Sequence, residues 1–241
     1  MSTPKFYDLT PDERRKQIAR QVSLTDEEFD ALSGCTGLSL EQADHMIENV
    51  IGTYALPLGI AQNFVINGRA VLVPMVVEEP SIVAGASFMA RLVRGGGGFT
   101  TSSDEPLMIG QMQVLNLSDP AGAQQRLLAQ KDRLLAAAAA IDPVLERLGG
   151  GPRDLEVRLI EESPIGPFVV VHLIYDVRDA MGANAINTAT ERLTPLVAEI
   201  SGGRVHLRIL SNLADRRLAR ACCMVPLTDL AFGDFGAEQV R

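Results

Sequence analysis

Lysine is scarce in this sequence: only Lys5, Lys16 and Lys131 occur in 241 residues. The formal net charge is −8. Together these exclude the uniformly basic surface that nucleic-acid phosphates require, and no nucleic-acid partner is expected. A local basic patch for a nucleotide or coenzyme A stays open. Cysteine is equally rare. Cys35, Cys222 and Cys223 include no CxxC and no metal-type spacing, so the expectation is reduced thiols in a cytoplasmic compartment. His45, His172 and His206 lie far from one another and from any Cys or carboxylate at ligand spacing. No metal site and no Ser-His-Asp set is expected from them. No apolar run reaches the ~18 residues needed to cross a bilayer, and the N-terminal MSTPKFYDLT has no apolar signal region.

What is present is an ordinary globular composition, 46% hydrophobic and 22% charged. The length suffices for one substantial core or two smaller ones. Thr10-Pro11-Asp12-Glu13 is a capping box with proline at the first helical position, predicting a helix over 11–22. Thr25 to Glu28 repeats the signal for a short helix ending near Gly34. Ser39 starts a third, with Ala43, Met46, Ile47 and Val50 on one face. Asn67-Gly68 between apolar runs 60–66 and 69–77 predicts a hairpin, because both turn positions need positive φ. A helix from Glu79-Pro80-Ser81 should run to Gly95–Gly98, a run that ends it and leaves a loop free to move or to approach a ligand.

From Pro106 the pattern changes. Strand 107–117 leads to a long helix from Asp119-Pro120 to Leu148, broken at Asp142-Pro143. Gly149-Gly150-Gly151 ends it. Strands 155–161 and 168–175, a helix over 181–200 and strand 205–210 follow. The order β-α-β-β-α-β predicts an α+β fold: a ferredoxin-like antiparallel sheet with its helices on one face. The expected organisation is 1–106, part of a larger domain; 107–212, a compact small domain; and 213–241, the start of a return to the first.

Four stretches carry chemistry-bearing residues, each with a plainer alternative. Residues 48–52 place Glu48 and Asn49 before Gly52, as any helix terminus would. Glu78-Glu79-Pro80-Ser81 follows a strand and precedes a helix, where α/β enzymes place reacting groups. A helix N-terminus favours the anionic carboxylate and burial opposes it; an acidic first turn reads the same. Asp176 to Asn184 joins strand to helix, with Gly182 allowing close approach and free N–H groups able to hold a pyrophosphate. The alternative is a capped helix start with Asp179 as N-cap. Ser211-Asn212 is a polar turn, a hinge or simply a turn.

Taken together and in order, Met46 to Thr53, Asn67-Gly68-Arg69 leading to Val73-Pro74-Met75-Val76-Val77-Glu78-Glu79-Pro80-Ser81, Gly96-Gly97-Gly98-Phe99-Thr100 and Asp179-Ala180-Met181-Gly182-Ala183-Asn184 resemble the signature segments of class II hydroxymethylglutaryl-coenzyme A reductases. The resemblance covers essentially the whole chain. It implies a large acyl-CoA-binding domain, incomplete here, with an inserted ferredoxin-like NAD(P)-binding domain. It also implies interconversion of 3-hydroxy-3-methylglutaryl-CoA with mevalonate and CoA, and a homodimer whose interface includes the region of Glu48 to Gly52. Glu79 matches the family's catalytic Glu, and Ser81 a residue near the acyl group. Asp179, Met181, Gly182 and Asn184 match the dinucleotide loop, with Asn212 beside it. Asp142 matches an acidic residue that accepts from the adenosine ribose hydroxyl and would repel a 2′-phosphate, which favours NAD(H) over NADP(H).

The family's catalytic Lys in His-Asn-Lys-Gly, its Asp in Gly-Asn-Asp and its flap His have no counterparts in this sequence. The expectation is therefore a polypeptide that needs a C-terminal half, in a longer chain or as a partner. The alternatives are a non-catalytic dinucleotide-binding or regulatory subunit, and a small-ligand sensor that would leave the first hundred residues without a role.

Overall fold

A computed structural model describes residues 5–34, 37–231 and 235–239. Cys35 lies outside them. Cys222 and Cys223 are exposed free thiols. In chain order the helices are α1 (Pro11–Val22), α2 (Asp26–Ala31), α3 (Leu40–Asp44), α4 (Ile82–Gly95), α5 (Pro120–Ala129), α6 (Lys131–Ala139), α7 (Pro143–Arg147) and α8 (Ala183–Ser201). The strands are β1 (Leu58–Ile66), β2 (Arg69–Val76), β3 (Phe99–Ser103), β4 (Leu107–Leu115), β5 (Gly151–Ile160), β6 (Phe168–Asp176), β7 (Arg204–Leu210) and β8 (Ala219–Cys223). Contacts divide the chain into two compact units, residues 1–61 with 74–85, and residues 62–73 with 86–241.

The first three helices begin on full capping boxes at Thr10, Thr25 and Ser39. Each cap oxygen accepts from the N–H three residues on, and the Glu or Gln there reaches back. Hydrogen bonds from the Thr10 and Thr25 backbones hold Glu13 and Glu28 below the usual carboxylate range. The third helix departs from expectation. It stops at Asp44, and Met46 and Ile47 are 68% and 65% exposed. A short helix persists only where its apolar face packs, and Ala43 is the one buried residue of α3.

The first sheet runs β2-β1-β3-β8. Asn67 and Gly68 make the hairpin turn with φ of 51° and 79°. Asn67 also extends the ladder, because its side chain accepts from Thr101 N–H at 2.8 Å and donates to Thr101 O at 3.2 Å. Strands β3 and β8 were not legible as strands. The run Gly95–Gly98 is not a free loop. A Cβ on Gly96 would collide with the Met224 carbonyl, and one on Gly98 would lie 2.5 Å from Val65 O.

The second sheet is antiparallel throughout, in the order β5-β6-β4-β7. Alternate residues Met112, Val114, Leu155, Leu173 and Tyr175 meet Leu127, Leu134, Ile186 and Leu193 from α5, α6 and α8 in one apolar core. The long helix expected after Pro120 is three. Its last piece restarts because Asp142 accepts from the N–H groups of Val144 and Leu145, with Pro143 in the first turn. Nothing in the composition explains the earlier break at Gln130. The chain enters and leaves this sheet side by side: Asp104 N–H donates to Leu218 O at 2.9 Å, and the Asp104 carboxylate pairs with Arg220 at 2.5 Å.

Tyr175 sits in this core at 1% exposure. Burial first, then the charges of Asp142 and Glu146, push its phenol up to about 12. The folded state therefore holds this proton more tightly than the unfolded chain, so stability is full below pH ~10 and falls as the pH rises toward 12. Urea titrations from pH 9 to 12 should show Tyr175→Phe lacking a loss of about 2–3 kcal/mol that the parent shows.

Candidate functional site

Strands β6 and β7 both run antiparallel to β4, so they run the same way and end at the same edge. Asp176 is opposite Leu107, and Leu210 is opposite Gly110. Gly151, the first residue of β5, is also opposite Asp176. Three connections therefore emerge together: the loop 177–182, the turn at Ser211-Asn212 and the triple glycine at 149–151. Asn187 on α8 accepts from Leu210 N–H at 2.9 Å, which ties the start of that helix to the end of β7.

Helix α8 begins at Ala183, two residues later than its expected start. Its N-cap is Gly182, with φ of 91° and no side-chain cap, so Asp179 does not cap it. The first-turn N–H groups of this 19-residue helix are left without a capping side chain. Such an end favours an anion. A Cβ on Gly182 would collide with Met108 Sδ and lie 2.8 Å from Val177 Cγ1. Only glycine lets the backbone turn this closely over the sheet end. Asp179, Met181 and Asn184 are exposed around it, as is Asn212 after β7. Asp142 is half-buried and is engaged as the α7 cap, one oxygen accepting at 3.2 and 2.9 Å. Its charge is felt at Tyr175, which places it at the same end of the sheet.

A buried cluster under this loop went unread in the sequence. Asp176 is 2% exposed. Its Oδ2 accepts from Arg153 Nη2 at 2.8 Å, and its Oδ1 accepts from the Arg178 backbone N–H at 2.9 Å. Arg178 Nε lies 3.8 Å from the same oxygen. Both guanidinium groups also donate to the Gly149 carbonyl, and Arg153 donates to Gly150 O at 3.1 Å. The triple glycine is therefore more than a helix stop. A Cβ on Gly149 would lie 2.7 Å from Arg178 Nη2, and one on Gly150 would lie 2.9 Å from Asp176 O. A lone carboxylate ending the apolar strand Phe168–Asp176 was the available signal.

Glu79 and Ser81 belong to the other unit, in the turn between β2 and α4. The helix starts at Ile82 with no acidic residue in its first turn. Glu79 is thus neither an N-terminal helical acid nor buried; Glu78, Glu79 and Ser81 are all exposed. Ser81 adopts φ of 71°, a conformation that costs a non-glycine residue about 1–2 kcal/mol. Its carbonyl accepts from Gly85 N–H at 2.7 Å. Among the described residues, no three His, Cys, Asp or Glu side chains gather where a metal ion could be held. No helix among them is long and apolar enough to cross a membrane.

The family model for hydroxymethylglutaryl-coenzyme A reductase matches residues 10–240. The chain belongs to that family. It is 53% identical to the 3-hydroxy-3-methylglutaryl-coenzyme A reductase of Archaeoglobus fulgidus over 90% of this chain and 50% of that protein. A class II enzyme from Streptococcus pneumoniae, solved bound to NADPH in open conformations, superposes with a TM-score of 0.89 at 35% identity. That match covers 96% of this chain and 62% of the other. A second Streptococcus pneumoniae reductase structure gives 0.91 at 35% identity over 99% and 64%. The chain spans about half the length of the Archaeoglobus relative.

Gly182→Ala should lower stability by roughly 2–4 kcal/mol, the sum of positive-φ strain and overpacking. A denaturant midpoint within error of the parent would refute the close approach.

Proposed function

We propose that this chain supplies the dinucleotide-binding domain and part of the acyl-CoA-binding domain of an NAD(P)-dependent hydroxymethylglutaryl-CoA reductase. The whole enzyme interconverts 3-hydroxy-3-methylglutaryl-CoA with mevalonate and CoA. The carrying observation is the gathering of Asp142, Asp179 to Asn184 and Asn212 at one end of an antiparallel sheet, around an uncapped helix start. That arrangement fits a pyrophosphate at the α8 N-terminus, over a glycine whose backbone lies too close to Met108 and Val177 for a Cβ. A bound nicotinamide dinucleotide would supply the hydride. Residues 107–212 are read as the ferredoxin-like cofactor domain, set between 1–106 and 213–241.

In this reading Glu79 is the proton donor and Ser81 lies near the acyl group, both held on the short turn after β2. Asp142 accepts from the adenosine ribose and disfavours a 2′-phosphate, so NAD(H) is preferred. The exposed apolar side chains Met46, Ile47, Ile51 and Tyr54 fit a surface covered by a second protomer. The scarcity of cysteine fits a cytoplasmic setting.

The 241-residue chain carries Glu79 but no His-Asn-Lys-Gly segment. It lacks the cation that would stabilise charge developing on the thioester oxygen. The purified chain should bind NADH, read by the enhanced fluorescence of the bound nucleotide, and show no hydroxymethylglutaryl-CoA-dependent NADH oxidation. Turnover by this chain alone would refute the division of roles. Asp142→Asn keeps an N-cap acceptor and removes the charge. It should therefore narrow the NADH over NADPH ratio of dissociation constants by about tenfold with the fold intact; an unchanged ratio removes Asp142 from cofactor choice.

A further inference from the structure

We infer that Asp176 is the positioning residue of the dinucleotide loop: it touches no ligand, and it fixes residues 177–184 in their binding geometry through Arg153 and Arg178. The inference rests on reading 179–184 as the dinucleotide loop.

Three observations support it. First, Asp176 is the last residue of β6 and is 2% exposed. A carboxylate in that position is tolerated only when both oxygens are satisfied, and both are, by Arg153 Nη2 and by the Arg178 backbone N–H. Second, the bond to Arg178 N–H is made at the first bend of the loop. Arg178 has φ of 51°, a conformation a long side chain adopts only when its surroundings hold it. The carboxylate captures the N–H, and the Arg178 guanidinium folds back onto the Gly149 carbonyl. The chain direction out of β6 is therefore set from both sides of one residue. Third, the turn before β5 is locked by the same groups. Arg153 bridges Asp176 to the carbonyls of Gly149 and Gly150. Gly149 leaves no Cβ to displace the Arg178 guanidinium, and Gly150 none to press on the Asp176 carbonyl.

The consequence is a rigid base for the loop. The next two residues, Asp179 and Ala180, follow Arg178 directly, and Ala180 N–H closes a turn onto Val177 O at 3.1 Å. Gly182 then starts α8 with no side-chain cap of its own. Among the described residues, no side chain hydrogen-bonds or ion-pairs with the exposed segment Asp179 to Met181. Its order comes from the buried carboxylate at its root. A loop preordered in this way does not pay its ordering entropy when a ligand binds.

The test compares the full chain with Asp176→Asn and Arg178→Asn. Asp176→Asn keeps the size and one acceptor but removes the charge that holds two guanidinium groups. Arg178→Asn keeps a residue that tolerates positive φ and removes only the guanidinium; it serves if Asp176→Asn does not fold. Two quantities are read at 10 °C, far below unfolding: the NADH dissociation constant by nucleotide fluorescence, and amide hydrogen exchange without nucleotide. The expected result is an NADH dissociation constant raised about tenfold or more. With it, protection should be lost at 177–184 while the β6 amides at 169–174 keep theirs. Unchanged affinity, even with a lowered melting temperature, would show a merely structural role and overturn the inference. So would weakened binding with loop protection intact, which would make Asp176 a direct contact. A parent chain that fails to bind NADH is a different result: it overturns the dinucleotide reading, and this inference with it.

Discussion

Everything at the proposed cofactor end follows from the central position of β4. With β6 on one side and β7 on the other, both antiparallel to it, two connections far apart in sequence must leave the sheet at one edge. The pairs Leu107 with Asp176 and Gly110 with Leu210 set how far each strand extends before it turns. A one-residue slip would invert the faces of a strand. Val169, Val171, Leu173 and Tyr175 would leave the core, and Asp176 would point to the wrong side. The apolar alternation that builds the core therefore also delivers a carboxylate to the root of the loop. Stability and site geometry share one register.

Backbone approach does the rest. Gly149, Gly150, Gly151 and Gly182 lie at the same edge, and each would drive a Cβ into a neighbour. Around the first three the neighbours are Arg178, Leu145, the Asp176 backbone and Glu146; around Gly182 they are Met108 and Val177. Glycine weakens most regular structure, so its concentration here marks a place where main chain and guanidinium groups must come closer than side chains allow. The glycines at 96 and 98 serve the first sheet the same way, against Met224 and Val65. They hold strands together rather than free a loop.

Much of this was legible in the sequence, and the misses have physical causes. The capping boxes and the Asn67-Gly68 turn are local signals, and helices and turn start where they predict. Strands β4 and β6 formed within two residues of their expected bounds, whereas β5 begins at Gly151, four residues before its expected start. Strands β3 and β8 were illegible because Thr100 to Ser103 and Ala219 to Cys223 carry no alternation. They are strands through non-local pairing: β3 lies beside β1, Ile66 opposite Phe99, and β8 lies beside β3, Phe99 opposite Cys223 and Ser103 opposite Ala219. The third helix was over-read because only Ala43 of its apolar stripe is buried, while Met46 and Ile47 stay exposed. The residues of the proposed dinucleotide loop could be named from a resemblance, but the Asp176 cluster could not. Arg153, Asp176 and Gly149 become neighbours only through the pairing of β5 with β6. A single sequence shows no reason to join them.

The other unit poses the harder chemical question. Glu79 sits exposed on a turn whose next helix presents it no first-turn dipole contact, because α4 begins three residues later. To act as a general acid it must be desolvated or brought near another charge. Within the described residues no ion pair or hydrogen bond is recorded for it. Ser81, two residues on, adopts φ of 71° and is exposed as well. In the proposed role, the surroundings that would desolvate this carboxylate come from whatever covers the turn. That separates the two halves of the proposed activity physically. The proposed dinucleotide end is built around the chain's own buried carboxylate, whereas the proposed proton donor stands exposed on a turn.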